Sequence, residues 1–380
     1  MSMASETPAI ARFSRALPFC LSLLLIPIVW IGAVFGGWAI LLVPLSTWAT
    51  YSLVDAVAGL DLENPDTDTP EDALFWYRAI TMIWAPVQFV TVFAVIAYVT
   101  TSGHLVWWEI LGVAFGLGVI SGTIGIVYAH ELMHQSNRLE RWLGDILMAM
   151  ALYGHFRSEH LLVHHRYVGT PRDAVTAKYN ENFHRFFFRV LRESLTSAWK
   201  AEKAMLARKS LPALHKSNPF WRYAALQVAF LALAFVVGGW IGLMMFVYVA
   251  LIAIWQLELV NYVEHYGLTR RHLGDGKYEP TRPHHSWNSA HKASNWLLIN
   301  LQRHSDHHYK PSRRFPLLQT YSPDEAPQLP YGYPLTTLMA LIPPMWRRTM
   351  NPKVRAWRKK FYPDIEDWSE YNRHATPMPR

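Results

Sequence analysis

Cysteine is almost missing from this 380-residue chain, in which Cys20 stands alone. One thiol excludes a disulfide framework, a thiolate zinc finger and a four-cysteine iron–sulfur centre within the chain. Electrons from an iron–sulfur carrier would therefore have to come from another polypeptide. Charge is scarce as well: charged residues make up 17% of the chain and apolar ones 51%, where an average soluble domain is roughly 25% charged. Repeats and low-complexity tracts are lacking too. The charge that is present leans positive, +8 in formal net terms, which suits either nucleic acid or a membrane surface.

Where the charge sits decides between the two. A bilayer crossing takes roughly 20 mostly apolar residues, and six stretches read as such spans: 17–35, 38–53, 80–99, 110–128, 223–237 and 241–259. The connections after the first, third and fifth hold no Lys or Arg, whereas the N-terminal arm (Arg12, Arg15) and the segments 130–218 and 262–380 are basic. By the positive-inside rule, both termini and both polar segments face the cytoplasm. Topology thus accounts for the basic charge, and none is left over for nucleic acid. Arg12 and Arg15 before an apolar run resemble a signal peptide, but the second span begins directly after Gly36-Gly37, with no cleavage region between. A retained helical hairpin is the better reading. The expectation is a single all-α integral-membrane domain over residues 1–380, with six transmembrane helices and a histidine-rich cytoplasmic cap.

Of 18 histidines, nine stand in four tight groups. His130 and His134 lie in HELMH at the end of the fourth span. His160, His164 and His165 lie in EHLLVHH, His265 in NYVEH at the end of the sixth span, and His304, His307 and His308 in HSDHH. Spacings of three and four place imidazoles on one helical face, where they can reach one ion; His160 and His164 read as such a pair. All four groups fall on the cytoplasmic side. Nine imidazoles exceed the needs of one ion, and all-nitrogen coordination suits iron, zinc, copper or nickel rather than magnesium or calcium. Two ions with four or five nitrogens each would use the set completely. A redox-capable dimetal site beside an apolar bundle points to oxygen chemistry on an apolar molecule.

HELMH at 130–134, EHLLVHH at 159–165, NYVEHYGL at 261–268 and LQRHSDHH at 301–308 resemble the motifs of membrane-bound alkane 1-monooxygenases. These are non-haem diiron ω-hydroxylases related to fatty-acid desaturases and to xylene monooxygenase. The resemblance runs over nearly the whole chain. It implies that His130, His134, His160, His164, His165, His265, His304, His307 and His308 bind two irons, with no catalytic residue beyond the metal centre. It implies that O2 and two electrons convert the terminal methyl of a medium- to long-chain n-alkane to a primary alcohol, in a bacterial inner membrane. The electrons would come from a separate rubredoxin and its rubredoxin reductase. Two positions depart from the family pattern, Val163 for a usual Gly and Gln135 for a usual Lys.

Glu131, Glu159, Glu264 and Asp306 stand inside the histidine boxes as natural acceptors for the outer ring nitrogens of the ligands. His155, and His284, His285 and His291 of PHHSWNSAH, read as supporting structure. Thr47, Trp48 and Tyr51 on the second span, with Trp84 and Phe89 on the third, are candidates to line a substrate channel opening to membrane lipid. A basic surface including Arg166, Lys178, Arg303 and Lys310 suits an acidic rubredoxin. An alkyl-aromatic methyl hydroxylase of the xylene monooxygenase type is the nearest alternative. An intramembrane zinc metalloprotease built on HELMH, with Glu131 as base, leaves seven clustered histidines unused. A metal transporter would place its ligands near the bilayer midplane.

Overall fold

The computed structural model describes residues 9–372; the chain ends, His374 among them, lie outside the described residues. Five helical stretches are long and apolar enough to cross a membrane: Phe13–Phe35, Gly37–Ala58, Glu71–Ser102, Trp107–His134 and Phe220–His265. The chain is a multi-pass membrane protein.

The fifth stretch is two helices. Gly238 and Gly239 leave helical geometry, and Gly239 takes φ 59°, ψ −149°. A Cβ on Gly242 would lie 2.7 Å from the carbonyl oxygen of Ala234, although residues eight apart in a straight helix rise about 12 Å. The chain therefore folds back at the glycine pair. Gly36 closes the first hairpin with nearly the same angles, φ 58° and ψ −149°, in a region that is essentially open to glycine alone. Phe35, Trp38, Val236 and Trp240 stand exposed around these two turns, as apolar residues do where they meet lipid.

The helices run further than apolarity alone predicts, and the excess carries the chemistry. The fourth continues to His134 and the last to His265, so two histidine boxes are the polar ends of membrane helices. Gly118 and Gly122 of the fourth helix let the last helix pass close, against Ile252, Ala253 and Gln256, the small-residue contact by which membrane helices associate.

Three wider, π-type turns interrupt the helices, at Leu45–Thr50, Ser121–Ile126 and His160–His164. The cap is built from Arg138–Met150, which Asn137 caps through the Leu139 and Glu140 amides, and from Phe183–Ala207, which Asn182 caps through the Arg185 amide. Phe183, Phe186, Val190, Ser194, Ala198 and Leu206 bury one stripe of the latter at helical spacing. Among the described residues the only β structure beyond isolated bridges is the short antiparallel pair His272–Gly274 and Lys277–Tyr278.

Candidate metal centre

All nine box histidines converge, and they do so as two groups. His130, His134, His160, His165 and His307 form one; His164, His265, His304 and His308 form the other, the ligating atoms of each group lying within 4.8 Å of one another. In the first, Nε2 atoms stand 3.0 Å apart between His134 and His160, 2.9 Å between His160 and His165, and 3.1 Å between His165 and His307. In the second, the separations are 3.2 Å for His164 and His308, 3.0 Å for His308 and His304, and 3.1 Å for His304 and His265.

Two nitrogens held about 2.1 Å from one ion at a right angle would lie about 3 Å apart, so the spacing fits shared metal ligation. Protonation fits as well. Burial, and then the neighbouring imidazoles, push His160, His165, His304, His307 and His308 well below the usual histidine range. Rings kept neutral have a lone pair to offer, and convergent lone pairs repel unless a cation lies between them.

The second box departs from the expected pairing. His160 and His164 fall in different groups, and His160 is joined by His165 instead. The turn from His160 to His164 is π-type, so the residue that returns to the same face is five along, not four. His164 and His165 therefore point to different pockets, as do His307 and His308.

The ring nitrogens facing outward find fewer carboxylates than the sequence suggests. His164 Nδ1 lies 2.9 Å from Asp173 Oδ2. That carboxylate also accepts the Thr176 hydroxyl at 2.7 Å and the Val175 amide at 3.0 Å. Asp173 lies outside every histidine box, and no local pattern marks it. Glu264 approaches His304 Nδ1 at 3.3 Å. Glu131 accepts from Gln135 Nε2 at 3.0 Å, with Arg314 at 4.0 Å. Asp306 binds Arg313, the Tyr321 hydroxyl and the Gln319 amide. Glu159 is fully buried, with no hydrogen-bond partner at either oxygen. Burial, then the nearby Asp173 and Glu258, push it well above the carboxylate range.

A cavity adjoins both pockets. Thr47, Trp48, Ile126, Val127, Phe156, Leu257, Val260, Leu297 and Leu301 are among its wall residues, and His130, His160, His304 and Glu264 also line it. Each π-type turn contributes: Thr47 and Trp48 from the first, Gly122, Thr123 and Ile126 from the second, His160 from the third. Tyr51 is not in this wall; its hydroxyl faces the Leu21 carbonyl at 3.4 Å. Trp84 is buried against Tyr128 and bonds Gln88, and Phe89 packs on Phe93 and Phe230. His155 is partly buried against Tyr153, and His291 bonds Ser289; neither belongs to a histidine group. Arg303, expected on an exposed basic face, is buried and bound to Asp61 and to the Leu318 and Glu63 carbonyls.

Known proteins agree with this picture. Residues 102–338 match the family model described as fatty acid desaturase. The chain is 40% identical to alkane 1-monooxygenase 2 of Pseudomonas aeruginosa over 318 residues, covering 80% of this chain and 81% of that one. It is 36% identical to alkane 1-monooxygenase of Pseudomonas putida over 328 residues, 84% of this chain and 80% of that one. The hydroxylase component of the Pseudomonas putida xylene/toluene monooxygenase is 30% identical over 256 residues, 67% of each chain.

Proposed function

The chain belongs to the alkane 1-monooxygenase family, and from that premise we propose that it hydroxylates the terminal methyl of medium- to long-chain n-alkanes with O2. The balance is one alkane, one O2, two electrons and two protons in, one primary alcohol and one water out. The nine histidines hold two irons, five nitrogens on one and four on the other. A separate rubredoxin, reduced by its reductase, delivers the electrons. The protein crosses a bacterial inner membrane six times, with both termini cytoplasmic.

One observation carries the reading: two clusters of converging imidazoles share one largely apolar cavity between membrane helices. An unactivated methyl group has no acidic proton and no leaving group, so acid–base or hydrolytic chemistry cannot attack it. Iron, when bound, supplies the oxidising power to break a C–H bond and transfer oxygen. The rest is the protein's own work. Trp48, Leu257, Val260, Leu297 and Leu301 bind the alkyl chain and exclude water. His130, His160 and His304 bring the metal pockets to the cavity wall. Asp173 fixes the His164 tautomer, with the proton on Nδ1 and Nε2 free.

Similarity to the xylene/toluene enzyme keeps an alkyl-aromatic methyl group as the second substrate class. The metalloprotease reading loses ground, since His130 and His134 share their pocket with three further imidazoles. Cells producing the chain with a rubredoxin and its reductase, fed octane, hexadecane and p-xylene together, should release primary alkanols. A benzylic alcohol as main product would move the substrate class to alkyl-aromatics. No oxygenated product, with electron transfer shown to work, would overturn the proposal.

A further inference from the structure

The segment Pro283–Ser289 binds neither metal pocket, yet most of it is buried. Its histidines gather with Glu279 as a possible third ligand set, but the placement of protons argues against that role. His285 Nδ1 accepts the Arg282 amide at 2.9 Å, so the ring proton sits on Nε2 and faces the Tyr362 hydroxyl at 2.8 Å. A nitrogen that carries a proton offers no lone pair to an ion.

The next residues reach both distant histidine boxes. The Trp287 amide donates to the Glu264 carbonyl at 2.9 Å, and its indole Nε1–H donates to the Tyr266 carbonyl at 2.9 Å. Those two carbonyls flank His265. Asn288 Oδ1 accepts the Ser305 amide at 2.9 Å, while its Nδ2 donates to Ser305 Oγ at 2.5 Å. Ser305 directly follows His304. One dipeptide thus grips the neighbours of His265 on one side and of His304 on the other, and these two rings meet at 3.1 Å.

We infer that Trp287 and Asn288 are positioning residues, a clasp that sets His265 against His304 and so maintains the four-histidine pocket. Two of that pocket's four donors, His265 and His304, neighbour the clasp, and a third, His308, lies on the gripped turn. In the five-histidine pocket only His307 shares the gripped turn. The inference rests on the two-metal reading above.

The test uses detergent-purified full-length chain loaded with ferrous iron and challenged with graded chelator. Iron per chain is counted, and the residual iron is examined by Mössbauer spectroscopy. Trp287→Phe keeps an aromatic ring but deletes the indole donor along with part of the buried volume, a loss shared by the control; Asn288→Ala removes the other arm. Trp357→Phe is the control, deleting an indole N–H that donates to the His284 carbonyl at 2.7 Å elsewhere in the cap. Both clasp variants should fall from about two irons to about one at roughly 10–100-fold lower chelator than wild type, leaving a single spectral site. Trp357→Phe should follow wild type. Release of both irons together, release matching wild type, or equal loss in Trp357→Phe would each overturn the clasp. A wild-type chain holding fewer than two irons would overturn the two-metal reading, and the clasp with it.

Discussion

Asp173 receives the His164 ring at 2.9 Å and the Thr176 hydroxyl at 2.7 Å, in a buried site with no other imidazole contact. Asp173→Asn keeps the shape and removes the charge that favours one tautomer. Iron at the four-histidine pocket should then bind roughly 10-fold or more weakly, as chelator competition would read directly; unchanged retention would remove Asp173 from the site. Trp48 and Thr47 sit side by side in the cavity wall. Trp48→Ala should shift products toward longer alkanols in a mixed-alkane feed, and Thr47→Leu toward shorter ones. At this scale the sequence was most legible for the histidine clusters, which the fold does bring together, because histidines at spacings of three and four are hard to explain otherwise. It was least legible for their supports. Glu131, Glu159 and Asp306 are box neighbours in sequence but meet arginine, glutamine or no partner at all. Of the carboxylates that approach a ligand ring, Glu264 stands in a box, whereas Asp173 belongs to the loop after one and only folding brings it there.

Helices were legible as apolar runs, and their interruptions were not. Gly36 and Gly239 announce the hairpins because few other residues tolerate those angles. The π-type turns carry no such mark: HLLVH reads as an ordinary helical turn, so the expected pairing of His160 with His164 failed. Helix contact offers a direct check. A Cβ on Gly122 would lie 2.7 Å from Gln256 Cβ and 2.9 Å from the Ala253 carbonyl. Gly122→Val should cost about 1–3 kcal/mol, measured as the free energy of unfolding in mixed micelles. In the cap, burial alone would raise Glu279, but hydrogen bonds from His285, the Arg271 amide and Tyr362 hold it at about 2. Its folded value lies below its unfolded one, so its contribution is complete above about pH 4.5. That contribution fades as pH falls toward 2. Glu279→Gln should flatten the acid dependence of cap stability across that window, as tryptophan fluorescence would follow.

Across the whole molecule, membrane helices and cap are tied by charge. Glu140 is buried between Arg78 of the third helix, at 2.7 Å, and Arg314 of the cap, at 2.9 Å. Glu71 joins the same pair of arginines from the loop side. Asp61, in the segment between the second and third helices, holds Arg303. The acidic residues at the junction of the second and third helices are thus what the basic cap closes upon. Glu140→Ala leaves two guanidinium groups only the exposed Glu71 as partner and should cost about 3 kcal/mol. That is the lower end for a buried pair, because the Arg78 side chain is 28% exposed. Loss of thermal stability without loss of iron from surviving folded protein is the expected pattern.

His164 and His165 are consecutive residues serving different pockets, and so are His307 and His308. Each pair makes one peptide unit a strut between the two histidine pockets. The gap between the pockets is then measured out by covalent backbone at two places. Such a gauge keeps its length whether or not oxygen or alkane is present. Under the proposed two-iron reading, either pocket could then be filled or emptied without collapse of the frame that spaces it from the other.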